Sequence, residues 1–370
     1  MKLNLLSKLA AVPRTAPDED DFARTLPPSL VDDAQDFLEA GARGDADASD
    51  TEPYAPFESQ DPRHDFAREL LAALSKRPRE ISPKFFYDAT GSALFDRICE
   101  LPEYYPTRTE MALLREHAAQ IAQRVGPHAE IVEFGAGSVR KVRVLLDAMV
   151  SPRRFVPIDI SAEHLHASAA ALVEKYPALE VQAVAADFTK PFALPPSSRA
   201  GEPGLSLGFF PGSSIGNFTP GEALQFLRSA AQMLKGGALL IGVDLVKDPA
   251  VLHAAYNDAA GVTAAFNRNL LVRANNELGA DFVPERFAHY AYYEPRLQRV
   301  EMHLVSDREQ HVQLLGRRFE FAAGESLHTE NSYKYTVEGF RTLARRAGFV
   351  PDRVWCDARR FFSLHFLLSP

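Results

Sequence analysis

The sequence predicts an α/β fold: a mostly parallel sheet wrapped by helices, plus a second, mixed α+β lobe. Three observations carry this. Between residues 130 and 247, apolar runs rich in strand formers alternate with segments of helical period, the rhythm of parallel strands joined by right-handed crossovers. The first such run, Ile131 to Phe134, breaks into Gly135-Ala136-Gly137 and opens a helix from Val139 to about Met149. Glycines there leave no Cβ where a ligand nears the backbone, and the helix points its free amides back at the turn. Third, the alternation stops over 248–335, and an insertion of that length suggests a lobe of its own.

The elements follow in order. Residues 1–60 read as an extension without chemistry: prolines punctuate it, Asp18 to Asp21 is a charge run, and Gly41 to Asp61 is small, acidic and unpatterned. Ser29 to Ala40 could form one helix. Order is expected from about Asp65, with helical spacing over Phe66 to Leu74, a turn feeding a helix that runs through about Glu100, a stiff aromatic loop from Leu101 to Arg108, and a helix from Thr109 to about Arg124. Further strands are expected at Phe155–Asp159, Val181–Ala186, Leu205–Phe210 and Ala238–Val246. Thr219, Pro220 and Glu222 form a helix start with a capping box. In the insertion, Pro249 to Glu277 reads as helical, and Val300–Ser306 and Val312–Phe321 as two antiparallel strands around a turn at Asp307. A helix over Thr336 to Ala347 and a strand over Phe361 to Leu368 close the chain.

Composition narrows the function. A chain of 370 residues, 46% hydrophobic, can bury a full core. The excess of 49 acidic over 41 basic residues argues against nucleic acid as a partner. Two cysteines, Cys99 and Cys356, are too few for a disulfide framework and fit a reducing cytosol, so a cytoplasmic location is expected; the chain is expected to be a monomer. No apolar run is long enough for a membrane span. Met1 to Val12 lacks the apolar centre of a secretion signal and reads as a short amphipathic tail.

Ligands of open α/β sheets bind beyond the carboxyl ends of the strands. Gly135 and Gly137 end the first strand. Asp159 ends the second, about 20 residues on, where an acid that holds ribose hydroxyls belongs. Asp187 ends the third, and Asn217 follows the fourth. Arg140 stands where a dinucleotide fingerprint needs its last glycine. There is no Walker lysine, no Cys-x-x-Cys and no nucleophile elbow, and His164 and His166 are two apart on a helix, so no metal site is expected. Tyr87, Phe95, Tyr104, Tyr105 and Tyr256 could line a site for a cationic amine, ring faces being attractive to cations.

Longer motifs are more specific. Tyr87-Asp88-Ala89-Thr90-Gly91-Ser92-Ala93-Leu94-Phe95, Leu101 to Arg108, Phe209 to Asn217, Gly242 to Asp248, Ala255 to Thr263 and His328 to Tyr335 resemble the histidine Nα-methyltransferases of ergothioneine biosynthesis. The resemblance runs from about residue 65 to the end, roughly four-fifths of the chain. It implies a Rossmann-like class I methyltransferase domain (about 108–247 plus 336–370) and a substrate lobe (about 61–107 plus 248–335). It implies three methyl transfers from S-adenosylmethionine to the α-amine of free L-histidine, giving hercynine, with no metal. By motif, Gly135, Lys141, Asp159, Asp187 and Phe188 would hold the cofactor. Asn217 and Tyr256 would hold the carboxylate and amine end of the amino acid. Tyr104, Glu330 and Ser332 would read the imidazole, Tyr87 would sit near the amine through water, and Met302 would line the side-chain pocket. A related family methylates a tryptophan derivative, so another amino acid is the alternative, and a non-catalytic binder of cofactor or amino acid is the remote one.

Overall fold

The structure is a computed structural model that describes residues 62–370 apart from 138, 161, 191 and 197–203. The extension over 1–60, with the helix expected at Ser29 to Ala40, lies outside the described residues.

The chain opens with α1 (Pro62–Ser75), β1 (Arg79–Glu80), a 3-10 turn over Pro83–Phe86, α2 (Ala89–Glu100) and α3 (Tyr105–Val125). Then comes the alternating part: β2 (Glu130–Phe134), α4 (Arg140–Ala148), β3 (Arg154–Asp159), α5 (Ala162–Lys175), β4 (Glu180–Val181), β5 (Val184–Ala185), β6 (Ser206–Phe210), α6 (Pro220–Met233) and β7 (Ala238–Asp244). The insertion folds as α7 (Pro249–Tyr256), α8 (Val262–Leu278), β8 (Phe287–Glu294), β9 (Arg299–Ser306), β10 (Gln310–Leu314), β11 (Arg317–Phe321) and β12 (Ser326–Tyr333). α9 (Val337–Arg346), β13 (Val350–Cys356) and β14 (Phe362–Leu368) complete it.

The first sheet runs β13-β14-β7-β6-β2-β3, with β4 and β5 both on the outer side of β3. β2, β3, β6 and β7 pair in parallel. β14 is antiparallel to β7, and β13 to β14. From β2 the chain steps outward to β3, then returns to β6 on the other side. That reversal leaves a crevice at the carboxyl end of β2, where the glycine turn sits. All seven residues of β7 are buried, as expected for a strand covered on both faces. The capping box at Thr219 forms with Glu222, and Thr336 caps α9 through Gly339 N–H.

The second sheet is β1-β12-β9-β8. Its core takes Phe66 and Leu70 from α1, Phe85 and Phe86 from the 3-10 turn, Phe266 and Leu270 from α8, and Met302, Leu304 and Leu327 from the strands. Sequence far apart is thus joined in one apolar cluster. The chain returns to the first sheet at Tyr335, whose N–H donates to the Asp244 carbonyl at 3.0 Å.

The insertion departs from expectation most. The segment 312–321 is not one strand but the β10–β11 hairpin, turned at Leu315 and Gly316, both at positive φ. β9 pairs with β8 and β12 rather than with the next strand in sequence. The helical stretch splits at 257–261, where Asp258 accepts from the N–H groups of Val262 and Thr263 and so starts α8. The expected strand 181–186 is two short pieces on β3. α3 begins at Tyr105, since Pro106 is favoured in a first turn.

Gly91 shows how the entry motif works. Asp88 caps α2 by accepting from Gly91 N–H and is itself held by Asn269 of α8. A Cβ at Gly91 would stand 1.7 Å from the Phe86 carbonyl oxygen. Only glycine lets the turn carrying Tyr87 fold back on the helix. Gly91→Ala is expected to cost about 3 kcal/mol of stability through backbone displacement, read from urea unfolding.

Candidate active site

A cleft of about 1250 Å³ opens at the carboxyl ends of β2, β3 and β6. Gly135, Gly137, Lys141, Asp159, Asp187 and Phe188 all line it. Gly135 has φ +72°, and a Cβ there would lie 3.5 Å from the Phe188 ring. Asp159 is the last residue of β3, and Asp187 lies two residues past β5. Lys141, on the first turn of α4, pairs with Glu110 of α3 at 2.7 Å. Glu110 is fully buried and accepts the Gly212 N–H with both oxygens at 2.9 Å. Lys84 reaches over from the 3-10 turn to Asp187, at 3.4 Å, and to Asp65, at 2.8 Å. Glu133 is buried, its Oε2 has no partner among the described residues, and burial pushes its carboxyl well up.

This donor set fits S-adenosylmethionine. The cofactor carries a ribose diol and amino groups that need acceptors, an adenine that needs a flat apolar neighbour, and a carboxylate that needs a cation. Two strand-end carboxylates, an aromatic ring, a lysine and open glycine backbone supply these.

A smaller pocket of about 60 Å³ continues inward. Tyr87, Tyr104, Asn217 and Glu330 border both spaces, while Tyr256, Met302 and Ser332 line only the inner one. The residues proposed from sequence for cofactor and substrate therefore border one or other of two adjoining spaces, with the exception of Tyr105. Asn217 ends the 3-10 turn Ser214–Asn217, and a Cβ on Gly216 would meet the Tyr333 carbonyl at 2.8 Å, so this turn lies directly on β12. Met302 and Glu330 are register partners of β9 and β12. A bulge between His328 and Glu330 shifts the register, and the two side chains go to opposite faces. His328 stacks on His303 at 4.6 Å, whereas Glu330 enters the pocket.

The pocket has an aromatic half and a polar half. Tyr87 meets Phe95 and Phe266, each at 5.7 Å between ring centroids, Phe95 meets Tyr104 at 6.2 Å, and Tyr104 meets Tyr256 at 6.5 Å. Burial raises the hydroxyls of Tyr87 and Tyr104 well above the ordinary phenol range, so both remain proton donors. Burial pushes Glu330 up to about 7, partly offset by Lys334.

Sequence reasoning missed several residues here. Thr263 and Phe266, both buried, line the inner pocket from α8. Their helical spacing was visible, but not which face met the pocket. Asp244, Lys247, Lys334 and Glu110 were missed because nothing local distinguishes a buried charge from a solvated one. Conversely, Tyr105 does not join the aromatic lining. It is the first residue of α3, whereas Tyr104 is the non-helical residue before it, and its hydroxyl donates to Asp244 at 2.7 Å in the core.

The sequence profile of the family described as histidine-specific methyltransferase, SAM-dependent, matches residues 66–369. The chain is 43% identical to a histidine N-alpha-methyltransferase of Mycolicibacterium smegmatis over 303 residues, 80% of this chain and 92% of that protein. It is 42% identical to the protein of the same name from Mycobacterium tuberculosis, with the same coverage of both chains. It is 29% identical to ergothioneine biosynthesis protein 1 of Neurospora crassa over 313 residues, 78% of this chain and 33% of that longer protein.

Glu330 yields a pH-dependent prediction. A carboxyl near 7 when folded and near 4.5 when unfolded binds more protons in the native state between those values. Its contribution to stability is therefore lost as pH rises from 4.5 through 7. In ligand-free protein, Glu330→Gln should raise the Tm relative to the parent at pH 8, with the gap closing towards pH 4.5. Thermal unfolding across that range checks it.

Proposed function

The chain belongs to the S-adenosylmethionine-dependent histidine-specific methyltransferases, and from that membership we propose that it trimethylates the α-amine of free L-histidine to hercynine, the first step of ergothioneine biosynthesis. The observation that carries this reading is one half-buried carboxylate, Glu330, which with Asn217 lines both the small inner pocket and the cofactor cleft.

The bound cofactor supplies an electrophilic methyl group on a sulfonium. The protein's share is placement. Gly135, Asp159, Asp187, Phe188 and Lys141 hold the cofactor, and Asn217 and Tyr256 hold the amino and carboxylate end of histidine. Fixing the amine in line with the methyl carbon can supply about 7–11 kcal/mol of the barrier. Each transfer forms a nitrogen–carbon bond, breaks a carbon–sulfur bond and frees a proton, which solvent can accept because an α-amine titrates near 8. Tyr87, Phe95, Tyr104 and Phe266 surround the amine end with ring faces, worth about 0.5–2 kcal/mol to a growing quaternary ammonium. Glu330 accepts the imidazole N–H, with Ser332 at the other ring nitrogen, Tyr104 beside the ring and Met302 along the side chain. A buried carboxylate that finds no N–H is left unpaired, and so the site rejects amino acids without one. The division of labour follows the two sheets: a methyltransferase domain over 108–247 and 336–370, and a substrate lobe over 61–107 and 248–335.

Incubation with S-adenosylmethionine and a mixture of free amino acids should give trimethylhistidine as the main product by mass spectrometry. A higher kcat/KM for tryptophan would move the reading to the indole-directed relatives, and binding without any methylated product would move it to a non-catalytic binder. Glu330→Ala should lower kcat/KM for histidine by about 100-fold, the size of one lost charged hydrogen bond.

A further inference from the structure

The wall of the inner pocket includes a buried ammonium to which the mechanism above gives no role. Lys334 is 2% exposed. Its Nζ is 2.8 Å from Asp244 Oδ2, 2.9 Å from Tyr256 Oη and 2.8 Å from Ser332 Oγ. An ammonium has three N–H donors and no acceptor, so all three are used and each partner must accept. Tyr256 Oη and Ser332 Oγ also lie 2.7 Å apart, with the phenol donating. That direction is the favoured one, because a phenol is the stronger donor and the weaker acceptor of the two.

The proton count then has one result. Ser332 Oγ accepts from Lys334 and from Tyr256, which uses both of its lone pairs. Its own proton is the only group it can turn towards the pocket. We infer that Lys334 is a positioning residue for specificity: by filling the lone pairs of Ser332, directly and through Tyr256, it makes that serine an obligate donor to the substrate ring. The inference rests on the reading of histidine as substrate and deepens it. Glu330 offers an acceptor and Ser332 a donor, and a neutral imidazole offers one N–H and one bare nitrogen. The pair therefore selects a ring with one of each. A ring with a donor alone leaves the serine proton unpaired, a penalty worth about tenfold in affinity. With Lys334 removed, Ser332 regains a free lone pair, can turn its proton to Tyr256, and no longer penalises such a ring.

The test compares histidine with β-pyrrolylalanine, in both ring isomers, which keeps an N–H but has C–H in place of the bare nitrogen. The unaltered protein should favour histidine in kcat/KM. In Lys334→Met that preference should shrink by about tenfold, mainly through KM, while S-adenosylhomocysteine binding by calorimetry stays unchanged. A variant that loses activity on both substrates equally, with the ratio kept, would overturn the role of Lys334. Absence of histidine turnover in the unaltered protein would instead remove the functional reading. Should Lys334→Met not fold, the unaltered protein decides: ring-¹⁵N histidine bound with S-adenosylhomocysteine should show one neutral tautomer with its bare nitrogen hydrogen-bonded. A bound imidazolium, which needs an acceptor at each nitrogen, would refute the proposal.

Discussion

The ion pair between Asp244 and Lys334 joins the two halves of this molecule. Asp244 is the last residue of β7 in the parallel sheet, and Lys334 follows β12 in the second sheet. Both are almost wholly buried, and their contact is 2.8 Å. Charges removed from water are tolerated only when their hydrogen-bonding capacity is filled. Here it is: Asp244 also accepts from Tyr105 and from Lys247, and its N–H donates to Ser213 Oγ. Burial works against the Asp244 charge, but the two lysines outweigh it and hold the carboxyl below its usual range. Of those lysines, Lys334 keeps its proton more firmly, since burial and its neighbour bring Lys247 down to about 8. Loss of either member of such a pair costs about 3–5 kcal/mol, so the relative placement of the sheets is held by a contact with little slack.

That placement sets the reaction geometry. The cofactor cleft belongs to the ends of β2, β3 and β6, and the inner pocket to β9, β12, α7 and α8. A nucleophile on one and a methyl on the other must meet in line within a few tenths of an ångström. Close backbone approaches remove the remaining freedom. Gly216 lets the turn bearing Asn217 rest on β12, and the bulge at Thr329 aims Glu330 inward while Thr329 Oγ1 bonds Asn267 and the Met302 carbonyl. The same elements that tie the sheets together aim the side chains.

Polarity in the pocket is divided deliberately between groups that can and cannot change charge. The tyrosines are held as neutral donors by burial, whereas Glu330 is poised near neutrality. A carboxylate left in such a place without a partner is a destabilising element of the empty protein. Any ligand that brings a hydrogen-bond donor to it would remove that cost.

What the chain determined locally was the parallel sheet, its glycine turn, its capped helices and the acids at strand ends. These depend on period, turn chemistry and capping, all written within a few neighbouring residues. The six long motifs went further, because they hold residues as far apart in sequence as Tyr87 and Glu330 that meet in one pocket. The tertiary structure alone decided three things. It paired β9 with β12, which lies beyond the β10–β11 hairpin and outside any local window. It turned Tyr105 away from the pocket and brought in Phe266 and Thr263, since which face of a helix is covered depends on what packs there. And it buried Asp244, Lys334 and Glu110 as charges: in sequence an acid or a lysine reads as solvated, and only contacts between distant segments supply the hydrogen bonds that make burial tolerable.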